Sequence, residues 1–120
     1  MNEQAGKISV AGFPLGSSVI PKDGNLSYAK KIAPSIKPIV EKVPAGYAMQ
    51  IKGHACSVGT DSANINVSRL RAKAVYLELV RSGVPAKKMK WTGVGVNEMV
   101  SGISEDDAKQ RRVTFQVVPL

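Results

Sequence analysis

Arg71 is the residue whose type and place first suggest binding chemistry. With Asn64 and Ser68 it stands at i, i+4 and i+7 of a stretch with helical spacing, so the three form one polar line along a helix flank. A guanidinium stays charged at neutral pH and offers a planar fork of donors that suits a carboxylate. The plainer reading of the same spacing is an ordinary flank with an exposed arginine, and spacing alone favours it. Upstream, His54 and Cys56 lie two apart and could face the same way. A Cys–His pair can form a nucleophilic site. No third group is evident to orient the histidine, so no enzyme activity is expected. The pair also supplies too few ligands for a zinc site, and neither metal nor cofactor is expected.

The charge balance points to anionic partners. Lys and Arg number 17 against 9 Asp and Glu, a net charge of +8. Such a field attracts nucleic acid, anionic membrane or anionic cell wall, and it also serves plain solubility. Lys87, Lys88 and Lys90 cluster, but no nucleic-acid motif accompanies them, so they read as a solvated turn. Trp91 beside them reads as core or half-buried rather than as a stacking platform. No apolar run approaches the roughly 20 residues of a membrane-spanning helix. The polar start, Met1-Asn2-Glu3-Gln4, has no apolar core of an export signal. For an exported protein, the sequence then reads as a fragment or mature part of a larger envelope protein. The 120 residues, 43% apolar and 22% charged, fit one folded domain spanning 1–120. Cys56 is the single cysteine, so no internal disulfide can form.

The elements that must position these residues follow from periodicity. Residues 7–13 alternate loosely and predict a first strand. Residues 13–20 read as a loop with an apolar end. Residues 25–42 carry apolar groups at helical spacing, with a kink or break expected near Ala33 because Pro34 and Pro38 lack an N–H. Residues 47–53 read as a second strand. The clearest helix spans about 61–82, capped by Thr60 or Asp61 and closed by Gly83 and Pro85. On it Ala63, Val67, Leu70, Ala74 and Leu77 share a face expected to pack on the sheet, with Asn66, Arg69, Lys73 and Tyr76 toward water. Residues 88–94 and 111–118 read as further strands, and Ser104–Asp107 as the start of a short helix. The fold class is α/β: a β-α-β-α-β-β order, a mixed sheet, and helices on one face.

Gly53-His54-Ala55-Cys56-Ser57-Val58-Gly59, followed by Asn64 and Ser68-Arg69-Leu70-Arg71-Ala72, resembles the G-H-T-D-x-x-G…N-x-x-L-S-x-x-R-A signature of the OmpA-like, peptidoglycan-associating domain family. Phe13 to Ile20, Gly83-Val84-Pro85 with Gly93-Val94-Gly95, and Gln110-Arg111-Arg112-Val113 resemble further stretches of that family, in order and spacing. The resemblance implies an OmpA-like sandwich with a four-stranded mixed sheet. It also implies non-covalent association with peptidoglycan in the periplasm, with tethering to the outer membrane through parts outside this chain. The family's usual ligand is the diaminopimelate of the stem peptide: an Asp takes its ammonium and an Arg its carboxylate.

Carried over by residue, the resemblance places Arg71 at the carboxylate-binding position and Asn64 in support. Arg111 and Arg112 hold the paired arginines. Cys56 stands where the family has its ligand Asp, Ala55 where it has Thr, and Gln110 where it has Asn. A thiol is a poor acceptor, and a charged hydrogen bond is worth about 1.5–3 kcal/mol, so binding is expected to weaken by one to two powers of ten. Asp61, at the helix start, is an alternative source of the missing charge. Two functions follow: a peptidoglycan-binding module of altered strength, or a degenerate domain serving structure or binding another envelope protein.

Overall fold

Strand alternation decides which side of the sheet is covered. In Tyr47–Gly53 the side chains of Met49 and Ile51 are fully buried, while Gln50 and Lys52 reach the other face. The computed structural model describes residues 1–120, with elements α1 (Asn2–Ala5), β1 (Ser9–Ala11), β2 (Lys22–Asp23), β3 (Leu26–Ser27), α2 (Tyr28–Glu41), β4 (Tyr47–Gly53), α3 (Asp61–Arg81), β5 (Met89–Gly93) and β6 (Arg112–Pro119). Four strands form one sheet in the order β1-β6-β4-β5. The β4–β5 pair is parallel, as a helical crossover requires, and β6 runs antiparallel to both β4 and β1. Register places Ile51 beside Phe115 and Trp91, and Met49 beside Val117 and Met89. These residues pack with Ala33, Ile36 and Val40 of α2 and Ala72, Val75 and Leu79 of α3 in one core.

The four strands and two long helices lie close to where periodicity predicts them. Three details differ. Pro34 and Pro38 do not break α2, which runs without interruption from Tyr28 to Glu41. Four residues apart, both prolines sit on the exposed face, so water satisfies the carbonyls they leave unpaired. The helix also starts later than 25, because Leu26–Ser27 pairs with Lys22–Asp23 in a small hairpin and Ser27 accepts from Lys30 N as the cap. Ser104–Asp107 forms turns, and the helical turn follows at Ala108–Gln110 with Asp107 as its cap. The acids thus precede the turn rather than occupy it.

The short α1 is not foreshadowed by periodicity. Its Asn2 amide donates to Val117 O and accepts from Val117 N, closing the edge of β6 that β1 is too short to cover.

The largest correction concerns α3. The apolar residues Ala63, Val67, Leu70, Ala74 and Leu77 do not face the sheet: Ala63 and Leu77 are exposed and the others half-buried. The buried line is Asn64, Ser68, Arg71, Ala72, Val75 and Leu79. Two strand glycines explain the rotation. A Cβ on Gly53 would stand 1.7 Å from Ser68 O, and one on Gly93 would stand 2.3 Å from Arg69 N. The helix backbone therefore lies directly on the glycines, and only a small residue fits at the contact. Ser68 fits there, donating to Ile65 O at 2.8 Å and accepting from Gly95 N at 2.9 Å. Arg69 and Lys73 face water as expected, Asn66 is exposed at the side of the helix that borders the 54–59 loop, and Tyr76 packs against the core.

Candidate functional site

The rotation of α3 turns its polar line inward and buries Arg71 to 1% exposure. The residue is no exposed flank. Its Nε donates to Ser17 O at 2.8 Å, Nη1 to His54 O at 3.0 Å and Nη2 to Pro14 O at 3.0 Å. Its guanidinium also lies 5.4 Å from the centre of the buried Phe13 ring, within cation–π range. A guanidinium has five N–H donors, so one on Nη1 and one on Nη2 are not used by these three bonds. Burial, and then the neighbouring Arg111, push its pKa down to about 10, which leaves it charged at neutral pH.

Arg111, which closes the Ala108–Gln110 turn just before β6, reaches the same place. Its Nε donates to Phe13 O at 2.6 Å, and its Nη1 approaches Cys56 Sγ at 3.6 Å. Two guanidinium groups thus staple one loop, residues 13–17, through three of its carbonyls. No carboxylate balances them: the ion pairs Lys30–Glu78, Lys31–Asp23, Lys52–Glu98 and Arg81–Glu78 involve neither arginine.

Beside these arginines opens a cavity of about 420 Å³. Arg71, Arg111, Asn64 and Cys56 line it, as does Ala55. The five residues that the sequence singles out are therefore brought together. The loop that carries Ala55 and Cys56 is fixed by its backbone: His54 N donates to Arg112 O, Ala55 N to Gly95 O, and Ser57 N to Glu105 O. Cys56 is buried at 1% exposure.

Asp61 does not reach the cavity; it is exposed in the first turn of α3. No Asp or Glu lines the space.

Sequence reading missed the apolar walls. Leu15 and Val58 come from the two loops, and Ala63, Val67 and Leu70 from the α3 stripe that does not cover the sheet. Periodicity marks that stripe as apolar but carries no information on which surface it meets. Gln110, which replaces an Asn in the resemblance, lies buried outside the cavity. Its side chain accepts from Val100 N and donates to Val100 O and Ser104 O, clamping the long 95–110 connection.

Arg112 separates from Arg111 because consecutive strand residues face opposite ways. It sits on the other side of the sheet with His54, Lys52, Glu98 and Thr114. His54 Nε2 meets Thr114 Oγ1 at 2.8 Å, Lys52 pairs with Glu98 at 2.8 Å, and Arg112 donates to Glu98 O. His54 is 2% exposed, and burial, then the charge of Arg112, lower its pKa from 6.5 to about 4. The unfolded chain therefore binds this proton at a higher pH than the folded one. Stability carried by neutral His54 is complete above pH 6.5 and drains as pH falls toward 4. The loss amounts to about 3 kcal/mol. Urea titrations at pH 7 and pH 4 should show His54→Gln losing about 3 kcal/mol less than the parent; equal losses would refute the assignment.

Trp91 is half-buried on the edge strand, flanked by Arg69 and Lys73 at 5.6 and 5.7 Å from its ring. No helix is long and apolar enough to cross a membrane.

Comparison with known proteins agrees with this architecture. Outer membrane protein A of Shimwellia blattae is 35% identical over 68 residues, which is 57% of this chain and 28% of that protein. The chain thus spans little more than a quarter of that relative's length. The OmpA-like domain of FopA1 from Francisella tularensis superposes with a TM-score of 0.70 at 24% identity, covering 92% of this chain and 71% of that one. The peptidoglycan-associated lipoprotein of Burkholderia pseudomallei gives 0.68 at 21% identity, covering 92% and 89%. At these identities the two structures speak for the fold. The sequence profile of the OmpA family matches residues 13–112, a span that holds both guanidinium groups, the loop they staple and every residue lining the cavity, and the chain belongs to the OmpA family.

Proposed function

We propose that this domain is a non-catalytic cell-envelope module that associates non-covalently with the stem peptide of peptidoglycan, in the periplasm, and more weakly than a pocket with a ligand Asp would. The observation that carries the reading is the convergence of Arg71 and Arg111 on one cavity with no carboxylate to neutralise them. A stem-peptide carboxylate supplies the missing charge and accepts from the spare donors. Asn64, on the wall, adds an amide that can donate or accept. Outer-membrane tethering through parts outside this chain belongs to the same reading, as does the relative named for its association with peptidoglycan.

A second reading also has an observation behind it. Arg71 already spends three donors on backbone carbonyls, so it could serve as a strut in a domain that binds another envelope protein instead. A titration of labelled protein with a diaminopimelate-containing muropeptide separates the two. The expected result is saturable shifts at residues 54–59, Asn64, Arg71 and Arg111. Folded protein without shifts at several millimolar ligand, and without retention on purified sacculi, would leave only the second reading.

A further inference from the structure

The cavity selects more than a negative charge. Its polar groups are two guanidinium groups, two amides (Asn64 and Asn66) and the Cys56 thiol. Its other walls are apolar, from Leu15, Val58, Val67 and Leu70. An ammonium group entering with a carboxylate would find no acid to hold it. It would instead lie close to two like charges in a partly buried space, where repulsion is poorly screened.

We infer that the pocket takes a carboxylate whose neighbouring nitrogen is an amide rather than an ammonium, that is, an N-acylated amino-acid carboxylate carried on an apolar body. This rests on the peptidoglycan reading and refines it. In a stem peptide the distal amine is acylated where two stems are joined, while its adjacent carboxylate stays free. Cross-linked wall, not free stems, is then the preferred ligand. The amide N–H and C=O find partners in the Asn64 and Asn66 side chains, and the acyl group lies against Val67 and Leu70. Cys56 is the determinant. Its Sγ occupies the position 3.6 Å from Arg111 Nη1, where a carboxylate would both neutralise that arginine and attract an ammonium.

The test uses one diaminopimelate-containing muropeptide before and after chemical N-acetylation of its free distal amine, titrated into the unaltered domain by calorimetry and by NMR. The acetylated form should bind roughly tenfold tighter. Cys56→Asp, checked for folding by its NMR spectrum, should reverse the order, and Cys56→Ser should keep it. Tighter binding of the free-amine form to the unaltered protein would overturn the inference. So would failure of both forms to bind while sacculi still retain the domain, a result that leaves peptidoglycan association standing at another site. Failure of both forms and of sacculi would remove the underlying reading and the inference with it. The comparison of the two ligands needs no variant, so it decides the matter even where Cys56→Asp does not fold.

Discussion

Gly53→Ala will cost about 4 kcal/mol or more and will leave little folded protein at 37 °C. Gly53 has no left-handed backbone to accommodate; the need is for space. The added methyl would sit 1.7 Å from the carbonyl oxygen of Ser68 and 3.3 Å from Ala72 N. Both are backbone atoms of α3, so no side chain can swing away. The helix must lift by more than 1 Å, roughly the gap between that distance and ordinary van der Waals contact. Lifting it unpacks Ala72, Val75 and Leu79 from the sheet and breaks the bond from Gly95 N to Ser68. Overpacking a core commonly costs about 1–3 kcal/mol, and a rigid backbone partner places this case beyond that range. Thermal denaturation followed by circular dichroism measures it. A melting temperature within a few degrees of the parent would show that α3 slides freely on the sheet.

Arg71→Leu should cost about 3 kcal/mol. It leaves His54 O without its donor in a buried setting and releases Pro14 O and Ser17 O from the staple. An unpaired buried carbonyl costs about 1–3 kcal/mol, and the loss of loop anchoring and of the Phe13 contact adds to this. Relief from burying a charge offsets part of the sum. For a domain near this size the melting temperature should fall by on the order of 10 °C. Hydrogen exchange should rise locally in residues 13–17, since Arg111 alone then holds that loop. Arg71→Lys keeps the charge but not the fork and should recover only part of the loss. Destabilisation below about 1 kcal/mol would mean that Arg71 is a free ligand group and not also a strut. Under the proposed peptidoglycan reading, a guanidinium already held by three carbonyls would lose little side-chain entropy when a ligand arrives.

The strands were legible because their residues alternate and are bounded by turn residues. Residues 47–53 match β4 at both ends. The long helix was legible from its cap at Thr60 and its end at Gly83, whose φ of +89° no branched side chain would adopt without strain. The face of that helix was not legible. An apolar stripe predicts burial only where the opposing surface has side chains to meet it, and here the opposing strands present Gly53 and Gly93. The smallest surface of the helix wins the contact, and the stripe is left to wall a cavity. Likewise α1 and the small hairpin are too short to show a period, and packing alone defines them.

Local pattern and residue identity fix the order of the four sheet strands and two long helices, the family and the positive charge, and the family's signature picks out the five residues that meet at the cavity. Packing sets what those residues face. It buried Arg71 against three carbonyls, split Arg111 from Arg112 across the sheet, kept Asp61 out of the cavity, and set a pair of uncompensated cations beside apolar walls. The burial of Arg71 depends on how closely α3 approaches Gly53 and Gly93, a distance set by groups far apart in the chain, whereas Arg111 and Arg112 part because neighbouring strand positions face opposite ways.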